Sequence, residues 1–131
     1  MKKQIAFLSF ALVMSTIFFY SCSKSSDSTP APAVTIVGNW TKTVQTYPFI
    51  ISIISNNSYT VSMAGTIGES GTYTSTSSSI TLNATGGTSS CINIPGKYNF
   101  SISGNTLSFS LVSDTCNGRS DALVGGAWTK Q

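Results

Sequence analysis

The sequence predicts an all-β domain, an eight-stranded antiparallel up-and-down β-barrel, and three observations lead there. From about residue 35 onward Ser, Thr, Val, Ile, Tyr and Phe dominate and tend to alternate polar with apolar, which is the composition and period of half-buried strands. No segment offers an apolar stripe at helical spacing. The runs are short and joined mostly by Gly, Ser and Asn loops, which favours a meander, and closing a meander into a barrel removes both of its edges.

Ahead of the strands, Met1-Lys2-Lys3-Gln4 precede an uncharged run from Ile5 to Tyr20 that ends at Ser21-Cys22. A basic start, a short apolar stretch and a small residue before a cysteine describe a lipoprotein-type secretory signal, with Cys22 lipidated as the mature N-terminus. A transmembrane anchor is the alternative. Length argues against it, because crossing a bilayer takes about 20 apolar residues and this run includes Ser9, Ser15 and Thr16. Residues 1–21 are therefore read as the signal peptide. Residues 22–34 are read as lipidated cysteine plus flexible tether, since a Ser-rich stretch followed by Thr29-Pro30-Ala31-Pro32-Ala33 cannot bury a core. Residues 35–131 form the barrel domain. Ser23-Lys24-Ser25-Ser26-Asp27 resembles the stretch that routes some lipoproteins to the outer face of the outer membrane, so the expected location is the cell envelope at that membrane.

Strands are expected at about residues 36–45, 48–55, 58–64, 71–76, 79–84, 97–103, 106–112 and 125–130. The first holds Gly38-Asn39-Trp40. The second, Phe49 to Ile54, is apolar on both faces, so either Ile50 with Ile54 or Phe49 with Ile51 and Ile53 points outward. The third, fourth and fifth carry Tyr59, Val61 and Met63, then Tyr73, then Ile80 and Leu82 as candidate inward residues. Gly104-Asn105 is a two-residue turn with Gly first, as a type II′ hairpin prefers, and it fixes a register for the sixth and seventh strands. That register sets Ile102 opposite Leu107, Phe100 opposite Phe109 and Tyr98 opposite Leu111, all on one face, and a one-residue slip would send half of them to water.

The chain of 131 residues carries a formal charge of +3, but Lys2 and Lys3 belong to the leader. Lys24, Lys42, Lys97, Arg119 and Lys130 then face Asp27, Glu69, Asp114 and Asp121, a nearly neutral balance without the clustered cations of a nucleic-acid surface. With Cys22 taken by lipid, Cys91 and Cys116 make an even pair in an oxidising compartment and are expected to be bridged, with two buried free thiols as the alternative.

Gly38-Asn39-Trp40, Gly71-Thr72-Tyr73, Gly104-Asn105-Thr106-Leu107, Asp114 to Arg119 and Gly126-Ala127-Trp128, in that order, resemble the lipocalin-like small lipoproteins over residues 36–130. In lipocalins the Gly-x-Trp tryptophan closes one end of the barrel and an arginine near the last strand lies across its ring. The resemblance implies that Trp40 and Arg119 form that pair, with Trp128 as a competitor for the guanidinium. The middle Thr-Asp-Tyr motif of larger lipocalins is missing, so no ligand specificity carries over.

An enzyme is not expected. The chain has no His, its serines lack an activating base, and the domain's only carboxylates, Glu69, Asp114 and Asp121, fall in expected loops. Asp114, Asn117 and Asp121 lack the ligand-rich repeat of a calcium loop, so no metal or cofactor is expected. Two functions remain. One is a carrier holding a small apolar ligand among Tyr59, Val61, Met63, Tyr73, Ile80, Leu82, Tyr98, Phe100, Phe109 and Leu111, because an eight-stranded barrel is just wide enough for one. The other is a filled barrel anchored to the membrane by its N-terminal lipid, an envelope module whose loops Gly86 to Pro95 and Asp114 to Gly125 touch a protein partner.

Overall fold

The computed structural model describes residues 35–131. The expected signal peptide, the lipidation site Cys22 and the tether lie outside the described residues. Eight strands, β1 (Gly38–Val44), β2 (Tyr47–Ile54), β3 (Ser58–Met63), β4 (Thr66–Ser75), β5 (Ser79–Gly86), β6 (Pro95–Ser103), β7 (Thr106–Ser113) and β8 (Trp128–Lys130), form a closed barrel in chain order. All pairings are antiparallel, so the fold is the expected up-and-down barrel. Ring closure depends on β8, three residues long, which pairs with β1 through Trp40↔Lys130 and Thr41↔Thr129 and with β7 through Leu107↔Trp128.

The β6–β7 register is the one the Gly104 turn dictates: Ile102↔Leu107, Phe100↔Phe109 and Tyr98↔Leu111. Gly104 has φ +58° while Asn105 stays out of the left-handed region, the signature of a II′ turn. On β2 the choice between faces falls to Ile51 and Ile53, both fully buried, while Ile54 is exposed.

The interior is packed with side chains. Trp40, Ile51, Ile53, Tyr59, Tyr73, Ile80, Leu82, Tyr98, Leu107, Phe109 and Trp128 belong to one buried cluster. Phe109 sits edge-on to both Tyr98 (6.2 Å between centroids) and Trp128 (6.4 Å), the arrangement that ring quadrupoles favour.

One element departs from the expected pattern. Residues Asn117–Val124 form a helix, α1, between β7 and β8. Its buried residues are Arg119, Ser120 and Leu123, so it presents no apolar stripe. Its end is pinned by Trp128, whose indole N–H donates to Leu123 O at 3.1 Å. The eighth strand accordingly begins at Trp128 and not at residue 125, while β4 begins five residues earlier than expected, at Thr66.

Up-and-down connectivity gives the barrel two unlike ends. The turns β2–β3, β4–β5 and β6–β7 gather at one end, where the chain also enters β1, and Trp40 donates its indole N–H to Ile36 O at 2.8 Å. The opposite end, the mouth, carries the β1–β2 and β3–β4 turns, the loop 87–94 between β5 and β6, and α1.

Candidate functional site

The site at the mouth begins with an irregularity in β4. Met63↔Thr66 and Ser62↔Ile67 set one register at the turn, and the ladder resumes at Val61↔Glu69, leaving Gly68 as the extra residue of a β-bulge. Continuing the turn's register would pair Glu69 with Thr60 on the outer face. The bulge turns it inward beside Val61 instead, and Glu69 is only 5% exposed. Close packing holds the bulge in place: Ser89 N–H donates to Gly68 O at 2.7 Å, and a side chain on Gly87 (φ +104°) would collide with the same carbonyl at 2.5 Å.

Around Glu69 a buried polar network crosses the barrel. Tyr59 donates its hydroxyl to Glu69 Oε1 at 2.5 Å, and Ser89 donates to Oε2 at 3.1 Å. Arg119, projecting from α1, reaches Glu69 Oε1 with Nη1 at 3.4 Å. Its main partner is Asp114, bound by a two-pronged contact from Nε to Oδ2 at 2.7 Å and from Nη2 to Oδ1 at 3.0 Å. Nη2 also donates to Ile94 O at 2.6 Å. Asp114 accepts further bonds from the Tyr98 hydroxyl and from Cys116 N–H, so its four acceptor positions are filled. Gly96 makes room for this pair, because a Cβ there would stand 2.1 Å from Asp114 Oδ2.

The electrostatics follow from burial and pairing. Burial pushes the Asp114 carboxyl up, but the donors Arg119, Tyr98 and Cys116 N–H outweigh it and hold the group below the usual carboxylate range. Burial raises the Tyr59 and Tyr98 phenols, and the neighbouring Glu69 and Asp114 carboxylates raise them further, so both hydroxyls keep their protons and act as donors. Burial works against the Arg119 cation, yet Asp114 and Glu69 more than compensate and raise its affinity for the proton.

Between this network and solvent lies a cleft of about 310 Å3. Its walls are Phe49, Val61 and Met63 from the strands, Ser89 to Cys91 from the mouth loop, and Gly118, Ala122 and Leu123 from α1, with Glu69 and Arg119 as its charged residues. Cys91 and Cys116 are bridged, with Cα atoms 5.5 Å apart, so the disulfide ties the loop wall to the start of α1. The two loops expected at the open end do meet there.

The other expected site residues divide into groups. Tyr59, Tyr73, Ile80, Leu82, Tyr98 and Phe109 are buried in the packed core and Phe100 is half-buried against it, so they fill the barrel and line no central chamber. Val61 and Met63 line the mouth cleft. Leu111 is a correction. It pairs with Tyr98 as expected but is 49% exposed, because β7 leaves the core at the irregularity opposite Lys97 and Tyr98, where Val112 is exposed too. The Trp40–Arg119 pair is also a correction. Trp40 is buried near the end where the chain enters, whereas Arg119 stands on α1 at the mouth and gives its donors to Asp114, Glu69 and Ile94. The cation over Trp40 is Lys130, 5.4 Å from the ring centroid and carried on the paired strand β8.

Glu69 as an inward wall residue, α1 and a second buried cation were not foreseen. That cation is Lys42, 8% exposed, with its ammonium 4.7 Å from the centre of the Trp128 ring and no hydrogen-bond partner among the described residues. Alternation along β1 from Trp40 was the available signal that Lys42 points inward. Burial lowers its proton affinity. No family model, curated protein or solved structure matches this chain, so the reading of the site stands on its geometry.

Proposed function

We propose that this protein is an exported, lipid-anchored envelope lipoprotein whose lipocalin-like barrel binds a small ligand at its mouth, above a filled interior. The mouth cleft carries the reading: about 310 Å3, walled by Phe49, Val61, Met63 and Leu123, with a few fixed polar groups at hand. That combination of apolar walls and sparse, oriented polar atoms is what small-molecule sites share, and the volume is near the low end of their range. A binding role without catalysis fits the carboxylates, since Asp114 is saturated by donors and Glu69 is held by Tyr59, Ser89 and Arg119.

Native mass spectrometry of the full chain extracted from its own envelope tests the proposal. The expected result is a co-purifying small molecule that is lost when Val61→Trp fills the cleft, together with an acylated Cys22. A chain free of any small molecule rejects the carrier. A second reading, the protein-interaction module, is favoured by the filled interior and by Ile92, exposed on the mouth loop; a co-purifying protein would select it.

A further inference from the structure

We propose that the mouth cleft selects an organic ammonium ion, a protonated amine on a small apolar body, with Glu69 as its counter-ion. The inference rests on the reading that the cleft is the ligand site. It starts from the charges the network encloses. Two carboxylates, Glu69 and Asp114, share one guanidinium, so the group as a whole is anionic. The sharing is unequal: Asp114 holds Arg119 at 2.7 and 3.0 Å, while Glu69 has only the 3.4 Å contact. The excess negative charge therefore sits on Glu69, the carboxylate that lines the cleft.

Acceptor capacity points the same way. A carboxylate offers about four lone-pair positions. Asp114 uses all of its own on Tyr98, Cys116 N–H and the two Arg119 prongs. Glu69 uses Oε1 for Tyr59 and Arg119 but has a single donor, Ser89, on Oε2, which leaves one position open. Arg119 likewise keeps one of its five N–H donors open, the other four going to Asp114, Ile94 O and Glu69, but its charge is already matched by the two-pronged contact to Asp114, so the unmatched charge at the cleft wall is that of Glu69. The cleft thus asks for a donor with a positive charge. Its remaining walls, Phe49, Val61, Met63 and Leu123, ask for an apolar body. A cleft of about 310 Å3 suits a compact amine.

Three probes of one shape and different charge test this: phenethylammonium, 2-phenylethanol and phenylacetate, titrated calorimetrically into the full chain in detergent with empty micelles as reference. Phenethylammonium should bind about tenfold or more tighter than the alcohol, the size of one charge-assisted hydrogen bond, and phenylacetate should bind most weakly. Glu69→Gln should abolish the preference and leave the alcohol's affinity within about twofold. The ranking on the unsubstituted protein decides the matter even if Glu69→Gln does not fold. Equal affinity for amine and alcohol, both lost in Val61→Trp, overturns the ammonium inference while leaving the mouth site in place. Tightest binding of phenylacetate overturns it as well. No binding of any probe overturns the mouth site, and this inference with it.

Discussion

Arg119→Met removes the one cation of the Glu69–Asp114 network while keeping most of the side-chain volume. The guanidinium makes three contacts to carboxylate oxygens, at 2.7, 3.0 and 3.4 Å, and one to Ile94 O at 2.6 Å, with its side chain 2% exposed. Hydrogen bonds to charged groups contribute roughly 1.5–3 kcal/mol each, but their sum would ignore the cost of desolvating the ions. Breaking a buried pair by removing one partner costs about 3–5 kcal/mol, and that is the expected loss near neutral pH. The loss should also depend on pH, with a definite sign. In the parent, Arg119 and the other donors depress the Asp114 carboxyl, so its stabilisation is present above the unfolded carboxylate pKa and fades as pH falls through the lower folded value. In the variant Asp114 keeps its burial, which raises its proton affinity, but loses Arg119, the strongest of the donors that offset it, so acid relieves the variant. The difference between parent and variant should therefore be largest near pH 7 and shrink by about pH 4. Urea unfolding followed by the fluorescence of the buried Trp40 and Trp128, without reductant, reads both quantities. An arginine lying across Trp40 would instead cost about 0.5–2 kcal/mol with no such pH dependence. A loss below about 1 kcal/mol, or one that stays constant between those pH values, refutes the network as the role of Arg119.

Two further outcomes follow from groups near the mouth. Lys42→Met should stabilise the protein by about 1 kcal/mol near neutral pH, since among the described residues the buried ammonium has no hydrogen-bond partner and the Trp128 ring alone offsets its desolvation. Because burial lowers the Lys42 proton affinity, the unfolded state holds more protons between the folded value and 10.5, the parent gains stability as pH rises through that window, and the advantage of Met should narrow there. A destabilised Lys42→Met variant, or a gap that ignores pH, counts against this account. Replacing both Cys91 and Cys116 by Ser opens a crosslink of sequence separation 25, for which the chain-entropy relation gives about 3.5 kcal/mol. Thermal unfolding should show that loss, and calorimetry with phenethylammonium should show weaker binding, because the crosslink ties two walls of the cleft together.

The barrel was legible wherever period-two alternation survived. Gly104-Asn105 fixed a register that carried Tyr98, Phe100 and Ile102 to their partners. The second strand revealed that one apolar face must turn outward, and only packing could choose Ile51 and Ile53 for the inside. The mouth was illegible for two physical reasons. Gly68 interrupts the alternation, so Ile67 and Glu69, two residues apart, lie on opposite faces and the acid reads as a loop residue. Helix α1 buries Arg119 and Ser120 beside Leu123, so the stripe that normally announces a helix is absent. Its buried face is held by Asp114, five residues before Arg119, and by Glu69 and Ile94 O from distant parts of the chain, contacts that no helical period announces. Trp40 is a buried residue of the first strand, and its cation is Lys130 on the adjacent strand, whereas Arg119, expected across its ring, is at the far end.

The ring is completed by Trp128–Lys130, three residues that follow every other strand in the chain. Until β8 has been synthesised, β1 and β7 are both open edges. Trp40 and Leu107, sealed by β8 in the finished molecule, then face water. The nascent chain can form its hairpins early but cannot lock until its last strand arrives. That delay marks the interval in which a chaperone would have the most to hold.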